Sequence, residues 1–161
     1  MAKTSVAENR RSITEQGHRL LERHEELGRR LTKLRRVAAL QLAANSVRAW
    51  DTVLAQKQSL LAQIEAMDLE KLFVTTIAVL PELPEDFNGE GPEQLRLRQA
   101  ENVALVREVL QIEAQAEAHL KNQLDQLHNL LGQSQRTAKV NAAYHSRRKA
   151  QPSPRFLDSR R

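Results

Sequence analysis

Apolar residues in this chain recur with helical spacing over most of its length. From Ile13 they run Ile13, Leu20, Leu27 and Leu34 at intervals of seven, and Gly17, His24, Leu31 and Ala38 fill a second set four residues after each. Alternating four-three spacing is the seam of a coiled-coil-like helix. Glu22, Arg23, Glu26, Arg29 and Arg30 lie off that seam and can pair across one helical turn. Ser12 followed by Glu15 has the form of a capping box. Gly17 and Gly28 work against the helix, each by about 1 kcal/mol relative to Ala.

Asn45 and Ser46 are the best place for a break before a second helix, although the pattern also allows one continuous helix. Val47, Trp50, Leu54, Leu61 and Ile64 continue a seam, with Lys57 as its charged member. Asp68 can cap a third segment carrying Leu69, Leu72, Phe73, Ile77 and Leu80. The β-branched run around Val74 to Val79 weakens that helix. PELPEDFNGEGP, residues 81–92, is the clearest loop, with three prolines and two glycines. Pro92 opens the last helix. Its expected buried face is Leu95, Val103, Val106, Leu110, Leu120, Leu124, Leu127 and Leu131, interrupted by Glu113 and Glu117, and its pattern fades near Tyr144.

The pattern therefore predicts an all-α protein. Residues 1–144 form an antiparallel bundle or hairpin of long amphipathic coiled-coil-like helices, with a loop at 81–92. Residues 145–161 form a flexible basic tail whose prolines and charges give it too little apolar surface to fold alone. Phe156 and Leu157 stand out in that tail as a short docking segment.

Composition narrows the function. Aromatic residues make up 3% of the 161 residues and cysteine is absent. Disulfides, thiolate catalysis and Cys-ligated zinc are thereby excluded, and small-molecule pockets, which favour aromatic walls, are disfavoured. The segment Met1 to Arg11 is polar and lacks the apolar run of a signal peptide, and no stretch has the roughly 20 apolar residues of a membrane span. The expectation is a cytoplasmic protein with no membrane insertion.

The net charge of +5 is unevenly placed. Residues 1–49 hold 11 Lys/Arg against 5 Asp/Glu, residues 50–135 hold 6 against 14, and residues 136–161 hold 8 against 1. A basic first segment can neutralise an acidic middle, which weakens the case for nucleic-acid binding. Too few aromatic rings are available to stack bases, so no nucleic acid is expected as a partner. Two spacings, Glu15–His18 and Asp125–His128, have the i,i+3 form found in carboxylate-bridged metal bundles. They read more simply as solvated pairs, because the middle helix offers no matching buried glutamates. No metal or other cofactor and no enzymatic activity are expected. Trp50 reads as core, and Tyr144 as a half-buried aromatic at a helix end.

Four stretches together resemble the flagellar export chaperones of the FlgN type. They are the amphipathic helix Ile13 to Ala44; AWDTVLAQKQSLLAQIEAMD at 49–68; REVLQIEAQAEAHLKNQLDQL at 107–127; and KVNAAYHSRRKAQPSPRFLDSRR at 139–161. The most specific part is the last, in which Ala143–Tyr144 is followed by a polar spacer and the ending Phe156–Leu157–Asp158 with Arg160. The high pI departs from the family's pattern. The resemblance implies a cytoplasmic chaperone for flagellar type III secretion. Its clients would be late hook-associated (junction) proteins, and it would deliver them to export gate or ATPase components. The sibling type that attends the filament cap fits less well.

On this reading the client-binding residues are Leu120, Leu124, Leu127, Leu131 and Val140. Tyr144 docks on the export gate, Phe156, Leu157 and Asp158 form the tail's docking segment, and the unloaded chaperone forms a homodimer. The alternatives are a coiled-coil scaffold or, less well supported, a basic nucleic-acid-associated helical protein.

Overall fold

The structure is a computed structural model. It describes the backbone of residues 2–44 and 46–150 and the side chains of residues 7–44 and 46–145. Four α-helices account for most of these residues: α1 (Ala2–Ala43), α2 (Val47–Glu65), α3 (Leu69–Val79) and α4 (Glu93–Ala150). Two short 3-10 turns, Leu80–Glu82 and Phe87–Gly89, join α3 to α4. Among the described residues there is no strand, and no helix is long and apolar enough to cross a membrane. The all-α expectation holds. The chain divides into two compact units, residues 1–117 and residues from Ala118 onward.

In the first unit the seam of α1 is buried as its spacing demands. Leu20, Leu27, Leu31, Leu34 and Ala38 are all buried, as is His24. Full burial of a leucine side chain contributes about 1.5–3 kcal/mol, so this one face anchors the unit. The helix ends at Ala43 and the next begins at Val47, so the break falls at Ser46 as suggested, while Asn45 lies outside the described residues. The Ser46 hydroxyl accepts the Ala49 amide at the start of α2, which satisfies an otherwise orphaned donor. The Asp68 carboxylate likewise accepts the Lys71 amide at the start of α3, with its own backbone left-handed at φ 51°.

Side-chain contacts give the direction of each leg. Gln41 meets Lys57, Arg30 meets the Gln63 carbonyl, and Arg23 meets the Met67 carbonyl. As numbers fall along α1 they rise along its partner, so α2 and α3 together form one antiparallel return leg. His24 meets Asn102 and Arg35 meets Glu108. These numbers rise together, so α1 and the α4 part of the unit run in the same direction. The result is an up-down-up arrangement whose middle leg is broken at Asp68.

Two of the expected faces are rotated. On α2, Val47 and Leu61 are exposed; the inward positions are Val53, Lys57, Leu60 and Ile64. Val47 is the first residue after the cap, where little can cover it. On α3, Ile77 is exposed while Leu72, Thr76 and Val79 are buried, because Thr76 is drawn inward by a hydrogen bond to His24. The β-branched run is helical all the same, its propensity cost outweighed by packing.

In the first unit α4 buries Leu95, Asn102, Val109 and Ala116, one residue every seven. Val103 and Val106 are half-buried and Leu110 is exposed. The expected face had followed the larger apolar residues and passed over the polar Asn102 and the small Ala116. The α4 helix runs on to Ala150, beyond Tyr144. The added residues include Arg147, Arg148, Lys149 and Ala150, all good helix formers.

The 81–92 segment is a packed element. Phe87 is 1% exposed and Leu83 is buried, and both pack against Gly17. A Cβ on Gly17 would lie 2.6 Å from Leu83 Cδ2 and 2.9 Å from the Phe87 ring. The glycine that costs α1 helicity is thus the notch that receives the loop. Gly91, at φ +75° and with Glu85 O only 2.7 Å from where a Cβ would stand, holds the turn into α4.

Candidate functional site

The second unit carries the residues that the sequence singled out for partner binding. Leu124, Leu127, Leu130 and Leu131 are between 55 and 60% exposed, and Leu120 is half-buried. At about 100° per residue, Leu120, Leu124, Leu127 and Leu131 fall within roughly 60° of arc, and Ala138 and Ala142 extend the same stripe. The four leucines therefore form one narrow apolar row, as the four-three-four spacing requires.

Val140 does not share this row. It falls roughly 170° from the stripe's centre, about 40° from Tyr144. Both are exposed, Tyr144 at 72%, so Tyr144 is not the half-buried end aromatic expected from the sequence. The helix offers two apolar patches, one of four leucines and one of Val140 with Tyr144. Leu130 lies beside the leucine row, and the sequence reading omitted it although its spacing from Leu127 and Leu131 would have placed it there. Phe156, Leu157 and Asp158 lie outside the described residues.

Charge flanks the row on one side. Lys121, His128 and Lys139 lie on a line about 60–120° from its centre, and Asp125 is the sole acidic residue from 118 to 150. Asp125 and His128 are both exposed, as are Glu15 and His18. His18 packs against Phe87 with the rings tilted by 41° and their centroids 4.8 Å apart. Among the described residues no three metal-capable side chains converge.

The sequence reading missed two buried polar clusters in the first unit. In one, His24 is fully buried between α1, α3 and α4. Its Nε2 lies 2.8 Å from Thr76 Oγ1, which itself lies 2.8 Å from the Leu72 carbonyl. That carbonyl can only accept, so the threonine proton points to it and Nε2–H donates to Thr76. The bare Nδ1 then accepts from Asn102 Nδ2 at 3.2 Å, and the same amide donates to the His24 carbonyl at 2.9 Å. The geometry selects one neutral tautomer. Burial, with the charge of Arg23 adding to it, pushes the His24 pKa below its ordinary value. The edge of Phe73 closes the site, 5.4 Å away between centroids.

In the other cluster, Lys57 pairs with Glu113 and also donates to Gln41 Oε1 at 3.3 Å. Glu113 Oε1 is buried and has no hydrogen-bond partner among the described residues. The charged interruptions noted on two seams therefore meet one another. Trp50, expected in the core, is half-buried, and its indole N–H donates to the Ala44 carbonyl at 3.3 Å.

The cations of α1 are partly neutralised, as the charge pattern suggested. Glu26 holds Arg29 and Arg30, and these bonds keep its carboxyl below the usual range. Arg35 reaches Glu108 on α4 at 2.7 Å. Compared with protein-family models, curated proteins and solved structures, the chain matches none.

Proposed function

We propose that the chain is a cytoplasmic export chaperone of flagellar type III secretion. It binds late hook-associated junction proteins, prevents their premature assembly and delivers them to the export gate. The observation that carries this reading is the leucine row of the second unit, half-buried Leu120 with exposed Leu124, Leu127 and Leu131. Four leucines on one narrow stripe suit the apolar face of an amphipathic helix laid alongside. A row left in water would be a liability for a protein without a partner. Val140 and Tyr144, on the other side, form a separate contact, with Tyr144 assigned to the gate. The Phe156–Leu157–Asp158 ending supplies a further docking segment. On this reading the chain performs no catalysis and needs no cofactor.

The test separates the two patches. Truncation after Gln126 should abolish co-purification with a hook-associated client while residues 1–117 stay folded by circular dichroism. Tyr144→Ala should leave client binding near normal and weaken association with gate or ATPase components. Full client binding by the truncated chain would refute the assignment.

The narrowness of the stripe also favours a second reading, a scaffold that self-associates through its seam. Sedimentation of the isolated chain distinguishes them. A dimer that persists in excess client supports the scaffold; one that dissociates as client binds supports the chaperone.

A further inference from the structure

The first unit has an open trough between α1 and α4, about 600 Å³ in volume, with His24 and Asn102 at its floor. Its α1 rim carries Glu25, Arg29, Lys33 and Arg36; its α4 rim carries Arg98, Glu101 and Leu105. Most cations of this region already have acids. Glu26 takes Arg29 and Arg30, Glu108 takes Arg35, and Glu101 takes Arg98 at 2.9 Å. Lys33 and Arg36 are exposed and take part in none of the ion pairs among the described residues. Across the trough from them stands Leu105, and the next acid along α4, Glu108, is held by Arg35. One end of a concave site is thus left with two unneutralised cations beside an apolar wall.

We propose that this trough binds an acidic peptide segment of a partner protein, with Lys33 and Arg36 holding its carboxylates and Leu105 receiving an apolar side chain between them. The two unpaired cations at this end attract carboxylates, whereas Glu25, beside His24 at the other end, repels them, so the acidic part of the peptide sits over Lys33 and Arg36. The trough follows parallel helices, for about three turns on α1 and about two on α4, a shape that suits an elongated peptide better than a compact ion. No Phe, Tyr or Trp lines it, so it lacks the stacking platform that single-stranded nucleic acid uses. The site is separate from the leucine row, and its assignment does not depend on the chaperone reading.

The test uses the full chain and a fluorescein-labelled peptide of repeated Glu-Glu-Leu, read by fluorescence polarisation. Lys33→Gln with Arg36→Gln should weaken binding at least about tenfold, since both charge contacts are lost. Arg48→Gln with Lys71→Gln removes the same charge from exposed positions outside the trough and should change affinity less than about twofold. Leu105→Asn should weaken the Glu-Glu-Leu peptide but not poly-glutamate. All these variants should retain the wild-type helical signal, and a double variant that lost it would be replaced by Lys33→Met alone, read the same way. Equal losses in the trough and control variants would overturn the proposal, because binding would then follow net charge alone. Tighter, Lys33-dependent binding of a single-stranded RNA oligomer would overturn it in favour of nucleic acid.

Discussion

Replacing Asn102 tests the buried histidine site from two directions. In Asn102→Ala the His24 Nδ1, fully buried in the native chain, loses its donor, whereas the His24 carbonyl keeps its helical partner. One buried acceptor is orphaned, at a cost of about 1–3 kcal/mol. For a unit of this size about 2 kcal/mol lowers the melting midpoint by about 8 °C. Asn102→Asp asks a sharper question. In the native chain the folded-state pKa of His24 lies below its unfolded value. As pH falls below about 6.5 the unfolded chain takes up the proton first, so the contribution of His24 is present above that pH and is lost on acidification. A carboxylate at position 102 would accept from Nδ1–H and hold the imidazolium, raising the folded-state value. The sign then inverts, and this contribution is present at low pH and lost as pH rises through the raised value. The assay is the urea midpoint measured from about pH 8 to about pH 5.5, above the range in which ordinary carboxylates titrate. His18, His119, His128 and His145 are exposed and serve as a common background. Parallel pH profiles for the native chain and Asn102→Asp would refute the tautomer assignment.

The same substitution should have opposite effects at two helical glycines. Gly17→Ala drives a Cβ into Leu83 and Phe87; overpacking of about 1–3 kcal/mol exceeds a helix-propensity gain of about 1 kcal/mol, so thermal unfolding should move down. Gly132→Ala meets nothing within 4 Å and should raise helicity at 222 nm, a rise that NMR shifts would place in the second unit. Lys57→Met strands Glu113 with neither oxygen paired and should destabilise by about 3 kcal/mol, whereas Lys57→Met with Glu113→Leu should recover most of the loss, as a double-mutant cycle will show.

The α1 seam was fully legible because its two sets of seven-residue repeats are apolar or small at nearly every position. The break at Asn45–Ser46 and the cap at Asp68 were legible for the same kind of local reason. The α4 face was not. Its inward residues include Asn102, and a polar side chain at a seam position looks like an interruption until His24, 78 residues away, supplies its partner. Lys57 and Glu113 were each noted as faults in separate seams, and only their juxtaposition makes them a pair. The role of 81–92 was hidden because Phe87 and Leu83 acquire meaning from the notch at Gly17. At the candidate site, the leucine row was readable from spacing alone. The separation of Val140 from it was also contained in the helical period, but grouping by hydrophobicity concealed it.

The shared direction of α1 and α4 in the first unit bears on how the chain must assemble. Two helices that run the same way cannot be joined by a tight turn; a full return leg has to lie between them. The α1–α4 hydrogen bonds accordingly join residues 78 and 73 positions apart, whereas α1 meets α2 at a separation of only 16 at Gln41–Lys57. Loop closure favours the nearer pairing. During synthesis, α1 and its broken return leg can zip together while the segment bearing Asn102 is still inside the ribosome. Until that segment emerges, the imidazole of His24 meets Thr76 and the edge of Phe73 but lacks the Asn102 donor. The last strip of the bundle to close is the one that completes both buried polar clusters, His24 with Asn102 and Lys57 with Glu113, so an interrupted chain stays open at a hydrated seam.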